Sequence, residues 1–255
     1  MKILFCGSSG RMGKATCELI KNIENAEICC GVDLCPDNTA TFPVYTNINE
    51  VREHPDVIID FSNHTLLPDI LSFAMKNKIP CVICTTGHSL DELAIMKSIS
   101  AKIPVFYSRN MSLGINLLIE LSKKAASLLG RDYNIEIIEK HHNQKLDAPS
   151  GTALMIADKI KDSVSYDAEY VYGRHDTHKK REPNEIGIHA VRAGTIVGEH
   201  SVIFGGPEEV ITLSHSALSR SVFANGALRA ATFLIGKPAG LYDMSDLINE
   251  KLPNT

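Results

Sequence analysis

Residues 2–13, Lys-Ile-Leu-Phe-Cys-Gly-Ser-Ser-Gly-Arg-Met-Gly, constrain the fold of this chain more than any other stretch. A short apolar strand runs straight into a turn with Gly7, Gly10 and Gly13. A helix follows, with Met12, Thr16, Leu19, Ile20 and Ile23 on one face. Glycines let the turn close tightly, and the first amides of the helix lack internal acceptors, so the unit suits a pyrophosphate. The G-x-x-G-x-x-G spacing is a variant of the usual dinucleotide fingerprint. Asp33 closes the next apolar run, Ile28 to Val32, where an acid accepts the ribose hydroxyls of an adenosine. A glycine turn without a ligand remains the alternative on this spacing alone.

The alternation of strand and helix continues to about residue 110. Strands are expected at 2–6, 26–32, 56–61, 80–84 and 103–107, and Ser89-Leu-Asp-Glu92 is a capping-box start for one helix. This rhythm predicts a parallel sheet covered by helices on both faces, with ligands beyond the carboxyl ends of its strands. Asp60-Phe61-Ser62, Thr85-Thr86-Gly87 and Ser108-Arg109-Asn110-Met111 all fall at such ends. After a helix over 114–129 the pattern changes. Strands are expected at 134–141, 169–172, 186–192, 195–204 and 209–216, as an open mixed or antiparallel sheet. The polar stretch 173–187, with the basic run His178-Lys-Lys-Arg181, reads as a solvated loop, and a helix is expected from Ser219. The fold class is therefore α/β: a Rossmann-like parallel-sheet nucleotide domain plus a second, α+β domain with an open mixed sheet.

Residues 139–153, Glu-Lys-His-His-Asn-Gln-Lys-Leu-Asp-Ala-Pro-Ser-Gly-Thr-Ala, carry the chemistry. His141, His142 and Lys145 lie within five positions, and Ser150 is the N-cap of a helix with Ala153, Ile156, Ala157 and Ile160 at helical spacing. Titratable groups beside the first amides of that helix, near Gly151 and Thr152, suit an anionic substrate that must gain protons. His141 and His142 end a strand, so their rings project from opposite faces and do different work. Taken alone, a His-His pair reads more simply as a solvated strand end. Asp147 reads as a turn residue, and His54, His64 and His88 as surface or capping residues. At least one of His189, His200 and His215 is expected to satisfy a buried hydrogen bond, while Arg192 and Glu199 are ambiguous between site and sheet.

The blocks Gly7–Gly13, Asp60–Ser62, Thr85–Gly87, Asn110–Asn116, Glu139–Ala153, Arg192–His200, Ser219-Arg220 and Phe223–Ala227 occur in the order found in the dihydrodipicolinate reductases, now called 4-hydroxy-tetrahydrodipicolinate reductases. The resemblance runs nearly end to end. It implies reduction of 4-hydroxy-tetrahydrodipicolinate, a cyclic imine with two carboxylates, by hydride from a nicotinamide with loss of water, in diaminopimelate and lysine biosynthesis. It gives His141 as proton donor and acceptor and Lys145 as second proton donor, with His142, Gly151 and Thr152 holding substrate carboxylates. For the cofactor it gives Gly7, Ser8, Ser9, Gly10, Arg11, Met12, Asp33, Cys84, Thr85, Thr86, Ser108, Arg109, Asn110 and Met111. It implies a discontinuous nucleotide domain, 1–112 and 222–255, around a substrate-binding and oligomerisation domain, 113–221, with the second sheet assembling a homotetramer. Two departures matter. Leu34 stands where some members carry an arginine for the 2′-phosphate, so NADH is expected to be preferred and NADPH still used, with Arg11 and Lys14 offsetting part of the repulsion. Cys84 stands where a glycine is common. A different small-substrate dehydrogenase would explain the first motif but not residues 139–153, and a non-catalytic NAD-sensing module would make the His/Lys cluster incidental.

Composition excludes other classes. The net charge of −4 over 255 residues, with both signs interspersed, argues against a nucleic-acid protein. No apolar run approaches the ~20 residues that span a bilayer, and residues 2–6 are no signal peptide, so a cytoplasmic protein is expected. All seven cysteines lie at or before position 84, mostly in apolar strands, as small hydrophobes of a reducing compartment. Cys81 and Cys84 point to opposite faces of a strand, and the adjacent Cys29 and Cys30 are expected to diverge too, so no metal is expected.

Overall fold

The computed structural model describes residues 1–37, 39–175 and 178–251. Parts of two expected regions, the 173–187 loop at 176–177 and the C-terminal segment beyond 251, lie outside them. The chain forms two compact units, one of residues 1–113 and 220–255, the other of Gly114–Ser219.

The first unit opens with β1 (Lys2–Cys6), α1 (Arg11–Ile20), β2 (Glu27–Val32) and β3 (Val44–Tyr45), followed by β4 (Val57–Asp60), α2 (Leu67–Asn77), β5 (Cys81–Ile83), α3 (Leu90–Ser100) and β6 (Pro104–Tyr107). Then α4 (Leu113–Leu129) enters the second unit, which continues with β7 (Asn134–His141), α5 (Gly151–Lys161), β8 (Glu169–Tyr172), β9 (Glu185–Arg192), β10 (Gly198–Gly205) and β11 (Val210–Ala217). The chain returns to the first unit with α6 (Ser221–Leu234), β12 (Gly240–Tyr242) and α7 (Met244–Lys251).

The sheet of the first unit has the order β12-β6-β5-β4-β1-β2-β3 and every pairing is parallel. Side-chain alternation along the strands divides its core. Ile3, Phe5, Val57, Ile59, Val82 and Phe106 pack with α6 and α7 on one face, whereas Leu4, Ile58, Cys81, Ile83 and Val105 pack with α2 and α3 on the other. Two edge strands, β3 and β12, were not anticipated, because elements of two and three residues carry no readable period.

The second sheet, β11-β10-β7-β9-β8, is mixed: β7, β8 and β9 run parallel, and β10 pairs antiparallel with both β7 and β11. Ile135, Ile137, Ile186, Ile188, Val202 and Phe204 turn one face against α4 and α5. β10 starts at Gly198, three residues later than expected, because 193–197 form the turn from β9.

Three further expectations are corrected. Arg181 is docked rather than solvated: it pairs with Glu136 at 3.0 Å and donates to Asn134 and backbone carbonyls. The Cys29 and Cys30 sulfurs lie 3.8 Å apart, because the β1–β2 register slips between Ile3 and Leu4 and breaks the alternation there. The His88 side chain has no exposed surface. Cys81 and Cys84 do enter different core clusters. Among the described residues no group of three or more His, Cys, Asp or Glu is placed to hold a metal ion, and no helix is long and apolar enough to cross a membrane.

Candidate active site

In the first unit, the candidate contacts gather at the carboxyl ends of β1, β2, β4, β5 and β6. Gly7 adopts φ 82°, and a Cβ there would come within 2.7 Å of the Phe61 carbonyl, so the turn requires glycine. A Cβ on Gly13 would overlap the Ser8 carbonyl, so this glycine is what lets α1 start against the turn. α1 has Gly10 at its N-cap, no side-chain cap and no acidic residue in its first turn, which leaves its amides for an anion. The Asp33 carboxylate accepts from the amides of Ser9 at 2.9 Å and Cys35 at 3.0 Å, which fixes its orientation and leaves further lone pairs for ribose hydroxyls. The residues present therefore fit a dinucleotide.

Not every expected contact can be a side-chain contact. Ser8 is buried with its hydroxyl against Gly31, and Met111 belongs to the core, so only their backbone can serve a ligand. A Cβ on Gly226 of α6 would overlap the Met111 carbonyl, which explains a glycine inside a helix. Ser108 and Asn110 fold the 108–112 turn, the Ser108 hydroxyl donating to the Asn110 carbonyl at 2.8 Å and Asn110 Oδ1 accepting from Ser112 N at 2.9 Å. Arg11 and Arg109 are exposed.

Sequence reasoning placed Thr85 but missed what holds it. Asp60, fully buried at the end of β4, accepts from the Thr85 hydroxyl at 3.0 Å and the Ser62 amide at 2.9 Å. Burial pushes its carboxyl upward. With its proton given to Asp60, the Thr85 hydroxyl accepts from His88 Nε2 at 3.0 Å. Glu92 lies 3.7 Å from the other nitrogen of that ring and also bonds His64 at 3.0 Å. Glu92 is the capping-box residue of α3, so a local signal placed it near His88, but nothing local showed His64 as its partner.

In the second unit, β7 places Glu139 and His141 on the same buried face. His141 Nδ1 lies 2.6 Å from Glu139 Oε2. An ionised carboxylate only accepts, so Nδ1 carries the proton and Nε2 is left for a ligand. Register pairs His141 with Arg192 of β9. The Arg192 guanidinium grips Glu139 with both terminal nitrogens, at 2.8 and 2.7 Å, and donates to the Asp147 carbonyl at 2.6 Å. Ser150 N donates to the other Glu139 oxygen at 2.9 Å. These donors hold Glu139 below the usual carboxylate range although burial opposes them. Burial lowers His141, with Glu139 working against it. His200 of β10 packs edge-on at 5.3 Å between ring centres and bonds the Ser150 hydroxyl at 3.2 Å; burial pushes it down to about 3.

Ser150 caps α5 as expected, its hydroxyl accepting from Ala153 N at 3.1 Å, and space around Gly151 is open. Lys145 pairs with Asp147 at 2.8 Å, so Asp147 is more than a turn residue. His142 follows the strand and is half-buried. Glu199 pairs with Lys140 at 3.1 Å and serves the sheet, whereas Arg192 serves the site. Sequence reasoning gave Glu139 no role and left Arg192 between site and sheet, while the buried bond of His200 to Ser150 is the kind expected of one of the second-unit histidines. Their signal was their place inside the blocks 139–153 and 192–200.

Two family models match the chain, the N-terminal part of dihydrodipicolinate reductase over residues 1–111 and its C-terminal part over 114–248. The chain belongs to the dihydrodipicolinate reductase family. The 4-hydroxy-tetrahydrodipicolinate reductase of Caldanaerobacter subterraneus subsp. tengcongensis is 55% identical over 98% of this chain and 99% of its own length. That of Clostridium novyi is 48% identical over 98% and 99%. Among solved structures, a dipicolinate-bound dihydrodipicolinate reductase from Paenisporosarcina superposes with TM-score 0.81 at 25% identity, over 95% of this chain and 97% of that one. A myo-inositol dehydrogenase from Corynebacterium glutamicum, at TM-score 0.60 and 15% identity over 94% and 90%, shares the fold. As a dihydrodipicolinate reductase, the protein is an NAD(P)H-dependent oxidoreductase of diaminopimelate and lysine biosynthesis that reduces 4-hydroxy-tetrahydrodipicolinate to tetrahydrodipicolinate.

Proposed function

We propose that the second unit binds the dicarboxylate substrate and supplies its proton, and that the first unit holds the nicotinamide cofactor, with NADH preferred over NADPH. The observation that carries this is the Glu139–His141 contact of 2.6 Å beside the capped start of α5 and Lys145. When bound, the cofactor supplies the hydride. Gly7, Ser8, Ser9, Gly10, Arg11 and Met12 hold its pyrophosphate through turn and helix amides, and Asp33 accepts from its ribose. Cys84, Thr85, Thr86, Ser108, Arg109, Asn110 and Met111 line the strand ends where the nicotinamide half rests.

His141 takes and releases a proton at Nε2. Its Nδ1 keeps its proton and donates it in the hydrogen bond to Glu139, whose negative charge stabilises the imidazolium formed along the way. Lys145 is cationic and can exchange Asp147 for a substrate carboxylate, then donate a second proton. His142 and the amides of Gly151 and Thr152 hold the carboxylates, because a helix start without acidic residues favours an anion. Steady-state kinetics with freshly generated 4-hydroxy-tetrahydrodipicolinate tests these roles. Lys145→Ala removes a charge-assisted contact worth about 1.5–3 kcal/mol and lowers kcat/KM at least tenfold. His141→Gln lowers mainly kcat, and neither changes the KM for NADH. Wild-type kinetics in either variant would overturn the role given to that residue.

The uncovered face of the second sheet supports a homotetramer, since α4 and α5 pack on the other face and Val191 and Val210 are exposed. Light scattering showing a stable monomer at micromolar concentration would refute it. A cytoplasmic setting accords with seven free cysteines, four of them buried; fractionation of the source cells would test it.

A further inference from the structure

Beyond β2 the chain runs irregularly to β3, and this connection is tied to the glycine turn through Ser9. The Ser9 amide donates to Asp33 at 2.9 Å, and the Ser9 hydroxyl accepts from the Asp37 amide at 2.9 Å. Asp37 is therefore anchored beside the acid that receives the ribose. Its carboxylate is fully engaged: Oδ1 accepts from Thr39 N at 2.9 Å and Thr39 Oγ1 at 2.6 Å, and Oδ2 pairs with Lys14 Nζ at 2.9 Å. The bonds from Thr39, then Lys14, hold Asp37 well below the usual carboxylate range, so it is anionic across the working range of pH. Ser8, Ser9, Lys14, Asp37, Thr39 and Phe42 are among the residues that line a cleft of about 640 Å³ beside α1.

Lys14 was expected to soften the approach of a 2′-phosphate. Its charge is instead committed to Asp37. A 2′-phosphate entering this corner would find the charge of Lys14 already cancelled by Asp37, so the pair offers it no net attraction. The 2′-hydroxyl of NADH carries no charge and is indifferent to the pair.

We infer that Asp37 is a specificity-determining residue that disfavours NADPH by sequestering Lys14 at the ribose corner. This rests on the reading of Gly7–Met12 and Asp33 as the cofactor site. Leu34, 70% exposed, removes a possible cation from the corner, whereas Asp37 cancels one that is present.

The test compares kcat/KM for NADPH and NADH in the wild type, Asp37→Asn, Lys14→Ala and the double variant. Asparagine keeps an acceptor for Thr39, so the connection retains its local bonds. In Asp37→Asn the NADPH:NADH ratio rises about 3- to 10-fold, and the gain shrinks as salt is raised. In Asp37→Asn/Lys14→Ala at least half of that gain, on a logarithmic scale, is lost. An unchanged ratio in Asp37→Asn, or a gain retained in full by the double variant, overturns the inference. Asp33→Ala separates the two levels of the reading. If it leaves the KM for NADH unchanged, the cofactor site itself is misplaced. If it raises that KM while Asp37→Asn leaves the ratio alone, only the role of Asp37 fails.

Discussion

In the first unit the candidate ligand contacts are backbone amides and short polar side chains at the ends of parallel strands. In the second they are ionisable side chains with the helix amides at Gly151 and Thr152, and His141, nearly buried, rests on the fully buried Glu139 beside the nearly buried His200. The first arrangement follows from local geometry: once the strand ends and the glycines permit the turn, the amides are in place. The second depends on charges that tolerate burial only because they meet one another. A site of amides should lose function gradually under single substitutions, whereas a site of buried charges should fail when one member goes.

The sharpest way to break this contrast is Arg192→Met. It leaves the Glu139 carboxylate buried with only His141 and Ser150 N as partners, and removing one partner of such a pair costs about 3–5 kcal/mol. Urea denaturation should show a loss of that order together with a fall in kcat. If the loss stays below about 1 kcal/mol, the second unit is as tolerant as the first and the contrast fails.

Acid comes next. The pKa of His200 in the folded protein, about 3, lies below the ordinary 6.5, so the unfolded chain binds the extra proton first. Its contribution to stability is complete above pH 6.5 and is lost progressively as pH falls towards 3. Glu139, also lowered, adds a loss below its ordinary 4.5. Asp60 in the first unit is raised, so protonation there favours the folded state as pH falls. His200→Gln should therefore flatten the decline in denaturation free energy between pH 6.5 and 4.5. An unchanged slope would show that acid lability lies elsewhere.

The smallest effect belongs to the first unit. Leu34→Arg supplies a cation beside Asp33 and should raise kcat/KM for NADPH about 5-fold, leaving stability within about 0.5 kcal/mol. A large loss of stability would mean that the exposed loop is more tightly integrated than its amide-based site requires.

Much of this was open to reading from the sequence, for a physical reason in each case. The glycine turn, the Ser150 cap and the capping box at Ser89 depend on neighbours within a few positions. The strands of the parallel sheet declare themselves as apolar runs between turn residues. Edge strands of two or three residues do not, and the bulge that brings Cys29 against Cys30 leaves no trace in the order of residues.

The sequence by itself determined the alternating architecture of the first unit, the Ser150-capped start of α5, and the closeness of His141, His142 and Lys145 along the chain. Only the tertiary structure decided which charges meet. Arg192 reaches Glu139 across 53 positions because β7 and β9 lie side by side in one register. His200 arrives because β10 runs antiparallel to β7 and sets it opposite Glu139. A slip of one residue in either pairing would turn these side chains to the other face. Likewise Lys14 meets Asp37 only because Ser9 ties a loop beyond β2 to the turn before α1. Local energetics place a residue on an element and a face. Register and long-range hydrogen bonds, which are won by the packing of whole sheets, choose its partner.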